Sequence, residues 1–273
     1  MVSQVKKKLG IALGSGGARG FAHLGVLQAL HKMGLQPDIV AGTSVGAIVG
    51  AFYAADKMQE FETWAKSLRS KQAFKLMDFQ FFTKGAFVKG DKIIDFFTQR
   101  LGLINIEELA KPFLAIATNL VTGQEVWLKD GLLSEAIRAS MAFPGLLPSF
   151  FYRNQWLVDG GLVNPVPVSA CRAMGADLVI AVDLNQYIVG KRFQKMGIIE
   201  QPGIMDVSLS AIHIMQDRIT RSRMSGDPPE VLLTPGLGDM KLLDFNRTQE
   251  AIDEGIHCVE MAMPALIELK NNL

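Results

Sequence analysis

Hydrophobic positions along this chain fall in short dense runs separated by stretches of helical period, which predicts strands and helices in alternation. Residues 9–13 read as a buried strand, followed by a glycine-rich turn and a helix over 21–33 that Gly34 closes. A second short strand at 39–41 leads into a small-residue helix at 45–55 and a more polar one at 57–68. After a helix at 92–100 comes a strong strand at 113–121, which turns at Thr122-Gly123 into a hairpin partner at 124–128. Residues 132–140 are helical, and 150–152 pairs with 155–158 about Arg153-Asn154. A helix near 166–174, a strand at 178–184, a long helix at 205–224, a strand at 230–234 and two C-terminal helices complete the order. The pattern is that of an α/β layer fold with helices around a mostly parallel sheet. There is no internal repeat and no dividing linker, so residues 1–273 are expected to form one domain.

Two stretches carry additional expectations. In 71–90, Phe74, Phe79, Phe81, Phe82 and Phe87 alternate with Lys71, Lys75, Lys84 and Lys89, which fits either a flap facing lipid or core packing with irregular boundaries. In the long helix, Ile204, Val207, Ala211, Ile212, Met215 and Ile219 recur at helical spacing and predict a stripe facing the core, with a partner surface as the alternative.

Composition narrows the class. With 49% hydrophobic and 20% charged residues the chain is too apolar for disorder, and 28 basic against 27 acidic residues give no footprint for nucleic acid. The two cysteines, Cys171 and Cys258, have no metal or disulfide spacing and read as buried residues of a reducing compartment. No apolar run approaches the roughly 20 residues that span a bilayer, and the apolar run near the N-terminus breaks at Gly14 rather than forming a signal sequence. The expectation is a cytoplasmic protein, peripheral at a membrane if it meets one.

Three glycine-rich sites could carry chemistry. Gly14-Ser15-Gly16-Gly17-Ala18-Arg19-Gly20 lies between the first strand and helix, where exposed N–H groups can bind an anion. That anion could be a phosphate or the oxyanion of an acyl-transfer transition state; a structural turn is the third reading. The dinucleotide fingerprint would need a third glycine where Arg19 stands, and no Gly-Lys-Ser/Thr exists for a P-loop. Gly42-Thr43-Ser44-Val45-Gly46 is a G-x-S-x-G elbow in the required strand–turn–helix setting, which makes Ser44 a candidate nucleophile; a plain helix N-cap is the alternative. The third site, Asp159-Gly160-Gly161, puts a carboxylate at the end of an apolar strand, as a base or as an ordinary turn. The four histidines, His23, His31, His213 and His257, all fall in helices and read as helix-face residues rather than as a catalytic base.

Taken together, the glycine run with Arg19, the Gly42 to Gly46 elbow and Asp159-Gly160-Gly161 resemble the patatin-like phospholipases, and more closely the compact bacterial members akin to the catalytic domain of neuropathy target esterase. Ser140-Met141-Ala142-Phe143-Pro144-Gly145, Asn164-Pro165-Val166-Pro167, Asp244-Phe245 and Gly255 add to the likeness, which runs from residue 9 to about 262. The resemblance implies a three-layer α/β/α fold and a Ser44–Asp159 dyad without histidine, flanked by Gly42, Gly46, Gly160 and Gly161. It implies an oxyanion held by amides of Gly16, Gly17 and Ala18, within a loop framed by Gly14, Arg19 and Gly20. It also implies a lipid ester substrate, hydrolysed through an acyl-serine, with no cofactor. A regulatory protein with an idle site, and a nucleotide-binding module, are the competing readings.

Overall fold

The computed structural model describes residues 6–67, 91–186 and 203–273. The stretch 71–90, expected as a flap or core, lies outside them. Among the described residues eight strands form one sheet in the order β5-β6-β3-β2-β1-β7-β8, with β4 paired to β3. They are β1 (Leu9–Leu13), β2 (Ile39–Thr43), β3 (Phe113–Asn119), β4 (Glu125–Leu128), β5 (Phe150–Tyr152), β6 (Gln155–Asp159), β7 (Leu178–Val182) and β8 (Val231–Leu233). β1, β2, β3, β7 and β8 run parallel, while β4 and β6 run antiparallel to β3, and β5 antiparallel to β6.

The helices are α1 (Phe21–Lys32), α2 (Val45–Ala54), α3 (Met58–Ser67), α4 (Asp91–Leu101), α5 (Leu133–Ser140), α6 (Val168–Ala173), α7 (Ile204–Gly226), α8 (Thr248–Met261) and α9 (Met263–Asn271). The central strands are buried on both faces because alternate residues feed two cores. Leu9, Ile11, Leu13, Val40 and Phe113 enter the larger core with α1, α2 and α8. Ala12, Ile39, Ala41, Leu114 and Ile116 enter the smaller one under α6. α1 and α8 meet backbone to backbone: a Cβ on Gly25 would lie 2.0 Å from Ile252 O, and one on Gly255 2.1 Å from Ala22 O.

One expectation is reversed. The apolar stripe of α7 does not face the core: Ile204, Val207, Ala211 and Met215 are exposed, and Ile212 and Ile219 are only partly buried. The buried face is instead polar, made by His213, Gln216, Asp217 and Thr220. Those four share the same helical period on the opposite side.

Candidate active site

The register of β3 brings the site together. Along one edge β3 pairs with β2 up to Ile116↔Thr43, and from the next residue with β6, starting at Ala117↔Asp159. β4 occupies the opposite edge over Ala115 to Thr118. β2 rising and β6 descending therefore meet nearly end to end on β3, and Ser44 and Asp159 stand at the junction.

Ser44 is the turn residue between β2 and α2, at φ 58° and ψ −121°. A side chain with positive φ is costly unless its surroundings enforce it. Here the surroundings do. A Cβ on Gly46 would sit 2.0 Å from Leu13 O, and one on Gly42 2.4 Å from Gly46 O, so only glycine permits the turn to pass this close to β1 and α2. The strained amide of Ser44 donates to Ser140 Oγ at 2.9 Å, and Thr43 Oγ1 donates to Asn164 O at 2.8 Å.

Ser44 Oγ donates to Asp159 Oδ2 at 2.5 Å. The other carboxylate oxygen, Oδ1, accepts the Gly161 amide at 2.7 Å. The backbone of Asp159 is held as well, its N–H by Ala142 O at 3.0 Å and its carbonyl by Thr118 Oγ1 at 2.8 Å. The side chain is fully buried, and burial pushes its carboxyl up to about 6 against the opposing pull of the Ser44 and Gly161 hydrogen bonds. A carboxylate held near neutrality can both take and return a proton at physiological pH.

The glycine loop lies beside the elbow, Gly20 against Val45. Three of its amides are engaged: Gly14 with Val182 O (3.0 Å), Ser15 with Pro165 O (2.9 Å) and Ala18 with Leu242 O (2.8 Å). This corrects the expected donor set, because the Ala18 amide is already committed to the chain. Among the described residues the amides of Gly16 and Gly17 have no acceptor. Arg19 is fully buried and donates from Nε to Gly16 O at 3.0 Å. Its other two nitrogens have no hydrogen-bond partner among the described residues; burial lowers it to about 10, opposed by the charges of Asp183 and Asp244, so it stays a cation at neutral pH. His23 donates from Nε2 to Gly14 O at 2.8 Å and, held down to about 4 by burial, is neutral.

The elbow and loop form the floor of an apolar pocket. Ser44, Gly16 and Gly17 line it together with Phe21, Ile48, Phe61, Trp64, Phe97, Met141, Leu147 and Phe245, and the Phe21 and Phe245 rings meet edge to face. The long helix adds His213 and Gln216 to the wall.

Several of these contributors carried no local signal of their own. Ser140, Ala142, Asn164 and Pro165 stood out in the sequence only through the family likeness, and they hold the elbow, Asp159 and the glycine loop. Asn185, which binds Ser15 O at 3.1 Å and Ser15 Oγ at 3.2 Å, and Gln216 lie in segments read as loop and as ordinary helix.

Sheet and site together define an α/β protein built around a nucleophile elbow. Residues 11–172 match the family model of the patatin-like phospholipases, and the chain belongs to that family. It is 42% identical over 178 residues to an uncharacterized NTE family protein of Mycobacterium tuberculosis, covering 65% of this chain and 49% of that protein. Over 189 residues it is 36% identical to human patatin-like phospholipase domain-containing protein 6, covering 65% of this chain and 13% of that one. The chain thus spans about half or less of the length of these curated relatives. Among solved structures, VipD from Legionella pneumophila superposes with a TM-score of 0.55 at 12% identity, covering 97% of this chain and 67% of that one, a likeness of fold.

Proposed function

We propose that this chain is a serine lipid acyl hydrolase that cleaves carboxylic esters of phospholipids or lysophospholipids. The observation that carries the reading is the 2.5 Å contact from Ser44 Oγ to a fully buried carboxylate, at the floor of an apolar pocket. Asp159 takes the Ser44 proton as Oγ attacks the ester carbonyl. The oxyanion forms against the Gly16 and Gly17 amides. Asp159 then returns the proton to the departing alcohol, leaving acyl-Ser44. In the second half, water gives its proton to Asp159 and its oxygen to the acyl carbon, and Ser44 regains its proton as the fatty acid leaves. The N-terminus of α2 favours the negative charge that develops beside Ser44. The pocket takes the acyl chain, and the substrate is met at the surface of the lipid aggregate that contains it.

A fluorophosphonate probe tests the dyad. Wild type should label; Ser44→Ala should not, and Asp159→Asn should label far more slowly. Folded wild type that stays unlabelled with and without lipid vesicles would defeat the reading.

A further inference from the structure

The long helix α7 is inside out, and its two faces have different uses. Its inner face packs on the site: a Cβ built on Gly161 would lie 2.5 Å from Gln216 Nε2 and 2.9 Å from Asp159 Oδ1. Asp217 on that face binds Arg221 at 2.9 Å, and farther along Arg223 binds Glu125 of β4 at 2.7 Å. The polar inner face is thereby accounted for by the site and its flanking ion pairs.

Nothing in the described fold requires the outer face to be apolar. Yet Ile204 is 88% exposed, Met215 53% and Val207 50%, with Ile214 at the margin. These residues share the helical face opposite His213, Gln216 and Thr220. Arg218 lies one turn beyond Ile214 and Met215 on this outer face and is exposed. A contiguous apolar strip with a cation at its end is the composition of a helix that lies in a lipid interface. Position supports the same occupant. His213 and Gln216 line the pocket over Ser44, so the apolar strip lies about one helix diameter, ~10 Å, from the pocket wall. Among the described residues no helix is long and apolar enough to cross a membrane, so contact through α7 would be along the surface.

We propose that the outer face of α7, through Ile204, Val207, Met215 and Arg218, docks on a phospholipid bilayer bearing anionic headgroups and so brings the chain to its lipid. This rests on the lipid-hydrolase reading but is tested separately from it. Flotation with vesicles of phosphatidylcholine and phosphatidylglycerol, mixed three to one, measures docking; turnover of a soluble short-chain p-nitrophenyl ester measures the site. The double variant Val207→Glu/Met215→Glu should partition to vesicles about tenfold or more weakly, since each change removes apolar contact and adds a charge of the wrong sign. Its turnover of vesicle-borne phospholipid should fall in step while soluble-ester turnover is kept, which also reports that it is folded. Arg218→Glu should lose severalfold on the mixed vesicles and little on pure phosphatidylcholine. Unchanged partition of the double variant would overturn the proposal. So would a wild type that is dimeric in solution and made monomeric by the double variant with no change in partition, because the strip would then bind a second copy. If wild type floats but hydrolyses neither substrate, the catalytic reading fails and the docking surface stands.

Discussion

Replacing Asp159 by Asn should abolish turnover and make the protein more stable. Burial raises the Asp159 carboxyl from its ordinary 3.8 to about 6. Between those two values the folded chain holds a proton that the unfolded chain has released, so its stability falls as pH rises through the window and stays level above it. At about 1.4 kcal/mol per pH unit, the ionised carboxylate costs the fold about 3 kcal/mol at pH 8. Asparagine removes the charge and keeps the shape: its oxygen can accept the Gly161 amide, and its NH2 can donate to Ser44 Oγ. The gain over wild type should therefore approach ~3 kcal/mol at pH 8, or roughly 5 °C in melting temperature for a chain of this size. At pH 4, where wild-type Asp159 is already neutral in the fold, it should shrink below about 1 kcal/mol. Both chains share every other titrating group, so the buried His23 cancels from the comparison. Calorimetric melts of the two proteins at both pH values measure the difference directly. Equal stability at pH 8, or a gain undiminished at pH 4, would refute the idea that desolvation of this carboxylate holds its proton.

With Asp159 as the proposed base, kcat/KM on a soluble ester should rise about tenfold from pH 5 to pH 7 and then level, and a flat profile would remove Asp159 from that role. Ser140→Ala leaves the strained Ser44 amide without its acceptor and should cost about 1–3 kcal/mol in a denaturant melt, together with turnover. Arg19 donates to Gly16 O, the carbonyl of the same peptide group whose N–H belongs to Gly17, so its charge strengthens that amide as a donor. Arg19→Met should lower kcat by about tenfold or more with little change in KM, and Arg19→Lys should recover part of the loss; an unchanged kcat in steady-state kinetics would contradict this.

β1, β2, β3 and β7 were legible from short apolar runs, since strands buried on both faces cannot hide their hydrophobicity; the half-exposed β4, β5 and β6 were legible as hairpin partners about their turns. Their ends were less so, for local polar reasons. The strand expected to reach Val121 stops at Asn119, whose Oδ1 accepts the amides of Val121 and Thr122 and turns the chain. The strand expected to reach Leu184 stops at Val182, because Asp183 closes on the Asn185 amide. The helix expected from Val166 begins at Val168, after Pro165 and Pro167. Facing was harder to read than existence. α7 carries an apolar and a polar stripe of the same period, and periodicity shows that a stripe exists without saying which side the rest of the fold will cover. The side is fixed by contacts distant in sequence, Gln216 packing on Gly161 and Arg223 pairing with Glu125.

The elbow and Asp159-Gly160-Gly161 were each readable as local motifs, while their meeting depends on a strand that carries no catalytic residue. β3 is edged by β2 up to Ile116 and by β6 from Ala117, so a shift of one residue in either pairing would move one reactive group about 3.3 Å along the strand. That would break a 2.5 Å hydrogen bond. It would also turn the shifted side chain to the other face of the sheet. The arrangement accounts for the absence of a third side chain in the proposed dyad. In a Ser-His-Asp triad the acid orients a mobile imidazole. In the proposed dyad the base would be a short carboxylate fixed by the sheet itself: the Gly161 amide holds one oxygen, and Ala142 O and Thr118 Oγ1 hold its backbone. Backbone register replaces the orienting residue, and burial replaces the imidazole's natural proton affinity. Both substitutions demand a rigid, dry floor beneath Ser44, as the glycines of the elbow and the apolar wall of the pocket provide.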